Sequence, residues 1–132
     1  MLKLISEKVR NLLIVNFKKC SKCTELWNTR NDFLSDSNII VKGYTANLDH
    51  LELGIFFFDH NLCKTTLAIQ ASKFTDLYNG EVFDTRLTGT EECPGYCLNT
   101  DELRNCPAKC ECAYVREVLN IVTNWEKANS FA

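Results

Sequence analysis

Apolar residues Leu2, Ile5, Val9, Leu12 and Leu13 recur at three- and four-residue intervals, which predicts an amphipathic helix over residues 2–16. A tight basic segment follows, Lys18-Lys19-Cys20-Ser21-Lys22-Cys23. From Thr24 to Leu34 the polar and apolar positions suit a short helix with Thr24 as its cap, and Ser35-Asp36-Ser37-Asn38 is a turn cluster. The period then changes to that of a sheet. Ile39-Ile40-Val41 leads into Gly43-Tyr44, and Leu53 to Phe58 is apolar on both alternating faces, as an interior strand requires. Thr65-Thr66-Leu67-Ala68-Ile69 is rich in β-branched residues and returns after the corner Asp59-His60-Asn61-Leu62-Cys63. Ser72 to Tyr78 is compatible with a helix that Asn79-Gly80 ends. Residues 84–112 have little periodicity, although Thr100-Asp101-Glu102-Leu103 can start one helical turn. Val115, Val118, Leu119, Val122 and Trp125 fall on one face of a last helix.

These elements predict an α+β fold: a small antiparallel meander sheet with N- and C-terminal helices and thiol-bearing loops. No linker or low-complexity tract divides the chain, so residues 1–132 read as one domain, with a knuckle plus sheet over 17–70 and a cysteine-rich loop plus C-terminal helix over 84–126. A length of 132 residues permits a real core. Hydrophobic and charged shares of 45% and 24% belong to an ordinary globular chain, and a formal net charge of -2 gives no reason to expect nucleic acid. The longest apolar run, Leu53 to Phe58, is too short to cross a membrane.

The eight cysteines change the picture. They are disulfides in an oxidising compartment and metal ligands in a reducing one. Glu7, Lys8, Arg10 and Asn11 interrupt any signal-peptide core, and no small-residue cleavage site follows. A cytoplasmic location is therefore expected, and with it reduced thiols that hold metal.

Cys20-x-x-Cys23 has the spacing at which two thiolates of one turn meet the same ion, and His60-x-x-Cys63 offers the same spacing on the hairpin corner. Together Cys20, Cys23, His60 and Cys63 form a three-thiolate, one-imidazole set for tetrahedral zinc, similar to zinc-knuckle and zinc-ribbon sites. Four protein ligands leave no open position, which suits a structural ion. Asp59 or a backbone carbonyl is expected to accept the spare imidazole N–H. A hairpin histidine beside a buried thiol is the alternative.

Five further cysteines crowd into residues 93–112, where Cys93-Pro94-Gly95-Tyr96-Cys97 and Cys106-Pro107-Ala108-Lys109-Cys110 repeat one C-P-x-x-C pattern. Proline restricts φ in each turn, and Gly95 lets the backbone bend. Cys93, Cys97, Cys106 and Cys110 are the candidate ligands of a second zinc, with a 4Fe–4S cluster or disulfides as alternatives. Cys112 either replaces one of the four or starts the last helix as a spare buried thiol, and a spare thiol beside a metal centre could act as a redox switch. Charge does not separate tetrathiolate zinc from a 4Fe–4S cluster, whereas visible absorption does.

Catalytic signatures are missing: no phosphate-binding glycine loop, nucleophile elbow or H-E-x-x-H motif occurs. His50 beside Asp49 is the one imidazole left for acid–base work and reads as a residue at a strand entrance. Arg30, Asp32 and Asp36 read as ion-pairing residues, Trp27 and Trp125 as core. Lys18, Lys19 and Lys22 could contact phosphates, or offset the charge of the thiolates on a solvated face.

The run Cys20-x-x-Cys23-x-x-x-Trp27-x-x-Arg30-x-Asp32-Phe33-Leu34, then Gly43-Tyr44, Gly54 to His60 and Thr65 to Ile69, resembles a group of uncharacterised bacterial cysteine-rich proteins. Cys93 to Cys97 and Cys106 to Cys112 are similar to a subset of that group, and the resemblance spans roughly residues 17 to 126. It implies a small bacterial cytosolic protein without indicating a substrate. The expected function is that of a small metal–thiolate protein with two structural zinc ions and another protein as partner. An iron–sulfur electron carrier or thiol-based redox sensor using Cys93 to Cys112 is the alternative.

Overall fold

The computed structural model describes residues 16–128, so the helix predicted over 2–16 lies outside the described residues, apart from Asn16. Two antiparallel sheets, a C-terminal helix and short helical turns make an α+β fold. The first sheet is a two-stranded ribbon, β1 (Lys18–Lys19) against β2 (Leu26–Trp27). The second is the expected meander of β3 (Ile39–Thr45), β4 (Ile55–His60) and β5 (Thr65–Gln70), with β4 in the centre.

Alternation along β4 sends Phe56, Phe58 and His60 into the core. Leu67 and Ile69 do the same from β5, as do Ile39 and Tyr44 from β3. Ile39 and Tyr44 are five positions apart, so simple alternation would place them on opposite faces. A bulge between Val41 and Gly43 inserts one residue and restores the inward direction of Tyr44.

The helix α1 runs Arg30–Ser35, later than the sequence pattern predicts, because Leu26–Trp27 pairs with Lys18–Lys19 instead. Its cap is Thr29, whose Oγ1 accepts the Asp32 N–H at 3.1 Å, and not Thr24. Trp27 is nevertheless core: its ring meets Phe33 edge-on at 5.1 Å and its Nε1 donates to Asp36 Oδ2 at 2.9 Å. Leu53 lies in a single 3-10 turn, Leu51–Leu53, ahead of the strand. Residues 72–78, predicted as a helix, take two successive 3-10 turns, Ala71–Lys73 and Thr75–Leu77, which set Phe74 fully inside the core.

The last helix, α2 (Ala113–Thr123), buries Val115, Val118, Leu119 and Val122 on the expected stripe. Trp125 lies beyond its end and packs half-buried against the core. Between Gly80 and Cys112 the one regular element is the 3-10 turn Tyr96–Leu98, and Thr100 to Leu103 forms none. This long segment lies against β3, where the Tyr44 N–H donates to Thr100 O at 2.9 Å. No helix among the described residues is long and apolar enough to cross a membrane.

Candidate metal centre

The ribbon β1–β2 closes around Cys20 and Cys23. The Cys20 N–H donates to Glu25 O at 2.9 Å, and the turn points its amides at sulfur: Lys22 and Cys23 N–H lie 3.4 and 3.5 Å from Cys20 Sγ, and Glu25 N–H 3.4 Å from Cys23 Sγ. Such N–H···S contacts stabilise thiolate charge. The opposing corner joins β4 to β5 through Asn61 to Lys64. Lys64 adopts a left-handed φ of 59°, and its N–H returns to His60 O at 2.8 Å. This turn brings Cys63 back beneath His60.

The two corners meet. Cys20 Sγ lies 3.4 Å from Cys63 Sγ, and His60 Nδ1 lies 3.2 Å from Cys63 Sγ and 3.9 Å from Cys23 Sγ. All four ligand atoms lie within 4.8 Å of one another. Tetrahedral zinc, with Zn–S of about 2.3 Å and Zn–N of about 2.0 Å, separates two sulfurs by about 3.8 Å and a sulfur from a nitrogen by about 3.5 Å. The observed separations fall on both sides of those values, so the set fits one ion. All eight cysteines of the chain are free, so no disulfide competes for these thiols.

The electrostatics of the site are divided. Burial pushes the Cys20 thiol up, but the Cys23 and Lys22 amides, with His60 and Cys63 alongside, outweigh it and bring the group down to about 6. Burial and hydrogen bonding to Cys20 and Cys23 push Cys63 up to about 11. One thiol is poised as thiolate and its neighbour as thiol.

One sequence expectation fails at this site. His60 is fully buried with Nε2 unpartnered, while Asp59 points away to accept the Thr66 hydroxyl at 2.8 Å. The imidazole is oriented by packing instead, edge-on to Trp27 at 5.0 Å.

The remaining five thiols gather under the segment after Gly80. Cys97 Sγ lies 3.1 Å from Cys112 Sγ, which lies 3.4 Å from Cys110 Sγ. Cys106 is buried and Cys93 half-buried. They do not close into a group within 4.8 Å as the first four do. Cys112 occupies the N-cap position of α2. Arg116 was not evident from sequence as part of this region, because it flanks an apolar helical stripe. It is fully buried, and its guanidinium donates to the carbonyls of Arg104 at 2.6 and 3.0 Å, Glu102 at 2.7 Å and Tyr96 at 3.3 Å.

The other candidates have structural surroundings. Arg30 makes a two-pronged ion pair with Asp76, at 2.5 and 3.0 Å. Asp32 lies in the first turn of α1, and Asp36 holds Trp27. His50 is exposed at the start of the Leu51–Leu53 turn. Lys18 Nζ reaches Ala68 O on β5 at 3.1 Å. No protein-family model, curated protein or solved structure matches the chain.

Proposed function

We propose that the chain is a small zinc–thiolate protein whose ion, held by Cys20, Cys23, His60 and Cys63, joins the N-terminal ribbon to the meander. One observation carries this reading: four ligand atoms from two loops far apart in sequence lie within 4.8 Å of one another. Three sulfurs and one nitrogen favour zinc over harder cations, which take oxygen ligands. Four protein ligands fill a tetrahedron, so the ion acts structurally and leaves recognition to the protein surface. In keeping with this, Leu62 beside Cys63 and Ile40 on β3 are large apolar side chains left exposed, and the partner in this reading is another protein. The reading extends to a second ion among the later cysteines, to the cytoplasm as a reducing compartment, and to the bacterial cysteine-rich proteins that the chain resembles.

Elemental analysis of anaerobically purified protein, with an absorption spectrum and melting curves before and after chelation, tests it. Zinc without visible absorption, and a cooperative transition lost on chelation, are expected. Metal-free protein that melts unchanged overturns the structural role. Iron with inorganic sulfide replaces the reading by that of an electron carrier or redox sensor.

A further inference from the structure

We infer that Cys97, Cys106, Cys110 and Cys112 form a second zinc site, a tetrathiolate centred on Cys112, with Cys93 left outside as an accessible thiol; the inference rests on the metal–thiolate reading above. The ligand set thus differs from the symmetrical one that the doubled C-P-x-x-C pattern suggests.

The fold requires a cross-link here. Residues 81–112 contain one 3-10 turn, and their interior is made of Cys97, Cys110 and Cys112, with Ala46, Leu51, Leu87 and Ala108 at its edge. A segment of that length without its own apolar core or secondary structure is uncommon inside a domain, and an ion supplies the cohesion that side chains do not.

Two sulfurs already meet Cys112, and the rest of the set, which does not lie within 4.8 Å as the first site does, is drawn in by the ion. The contacts of Cys112 with Cys97 and Cys110, 3.1 and 3.4 Å, approach the edge of a zinc tetrahedron, about 3.8 Å. A backbone amide points at sulfur as in the first site: the Leu87 N–H lies 3.2 Å from Cys110 Sγ.

Five thiols compete for four positions, and burial separates them. Cys97, Cys106, Cys110 and Cys112 are buried, whereas Cys93 is half-buried. Cys97 and Cys106 lie within electrostatic range of each other, of Cys110 and of Cys112, and Cys93 lies within range of Cys106 too, so burial alone sets Cys93 apart. Cys93 accepts the Gly95 N–H at 3.4 Å within its own turn and is half-buried.

Arg116 supplies an independent observation. Its guanidinium is fully buried, all its hydrogen bonds go to neutral carbonyls, and it makes no ion pair among the described residues. A buried cation of this kind calls for nearby negative charge. The Glu102 carboxylate lies within electrostatic range and the Tyr44 and Tyr96 rings face the guanidinium at 5.6 Å, and zinc with four thiolates, at a charge of about -2, adds to them.

The test treats the loaded full-length chain with iodoacetamide under native conditions and maps labelled peptides, with zinc counted before and after. Expected are two zinc ions per chain, labelling of Cys93 with both ions retained, and labelling of Cys97, Cys106, Cys110 and Cys112 only after a chelator is added. Labelling of Cys112 alongside Cys93 with zinc retained overturns the ligand set, as does protection of Cys93 with Cys106 labelled. A single zinc with Cys20, Cys23 and Cys63 protected, or iron with sulfide, overturns the second zinc site. A single zinc with Cys20, Cys23 and Cys63 labelled instead defeats the first site and leaves the second standing. Cys93→Ser keeps both ions if the assignment holds and loses one if it does not.

Discussion

Cys20 Sγ and Cys63 Sγ lie 3.4 Å apart although 43 residues separate them in the chain. The two-residue strands of the N-terminal ribbon provide little cohesion of their own, and that corner joins them to the meander beside the Trp27 packing and the Lys18–Ala68 hydrogen bond. Structural zinc contributes about 10–16 kcal/mol in small sites, while whole domains are stable by only about 5–15 kcal/mol. Cys63→Ser should therefore lose one equivalent of zinc and most of the cooperative melting transition, as measured by elemental analysis and calorimetry. Full metal content and an unchanged transition in that variant would remove the site.

The same corner sets a pH dependence. Binding requires thiolates, and Cys63, pushed up to about 11 chiefly by burial, gives up a proton to bind at any lower pH. Cys20, brought down to about 6, adds a second proton only below that pH. Both terms strengthen binding as pH rises. Zinc affinity should fall at least about tenfold per pH unit from 8 to 6, and more steeply below 6. Competition against a chromophoric chelator across this range measures the slope, and a flat profile contradicts it.

The grouping of Cys20, Cys23, His60 and Cys63 was legible in sequence because each pair is local: two residues between Cys20 and Cys23, and two between His60 and Cys63, fix their geometry within one turn. The central strand was equally plain, since Phe56 and Phe58 could only be interior. What the pattern concealed depended on partners distant in sequence. Leu26–Trp27 has a helical neighbourhood and pairs as a strand because Lys18–Lys19 lies opposite. Tyr44 faces the core only because of a bulge, and Phe74 is buried by two 3-10 turns rather than a helix. Spacing alone leaves Cys112 either a replacement ligand or a spare thiol, because its contacts are with Cys97 and Cys110 together, a relation that pairwise spacing does not show.

Gly43 is where the cysteine-rich segment meets the sheet. A Cβ at that position would lie 2.6 Å from Thr100 O, a backbone atom that cannot swing aside. Gly43→Ala should push the segment off β3, lengthen the Tyr44 N–H···O Thr100 hydrogen bond and destabilise by about 1–3 kcal/mol. Limited proteolysis between residues 81 and 112, run beside a melting curve, reads both effects. Wild-type resistance with an unchanged melting temperature contradicts this close approach.

Arg116 separates charge from geometry in the same region. Lysine would preserve the positive charge, but its ammonium on a flexible stem does not reproduce a planar fork that reaches Tyr96, Glu102 and Arg104 at once. Each buried carbonyl left without a donor costs about 1–3 kcal/mol. Arg116→Lys should therefore destabilise by about 2–4 kcal/mol through the unpaired carbonyls, and Arg116→Met by more, because the positive charge is lost as well. Chemical denaturation of both variants with metal in excess measures the order. If lysine equals wild type, charge alone is needed at this position; if methionine equals lysine, the positive charge contributes nothing beyond the hydrogen bonds.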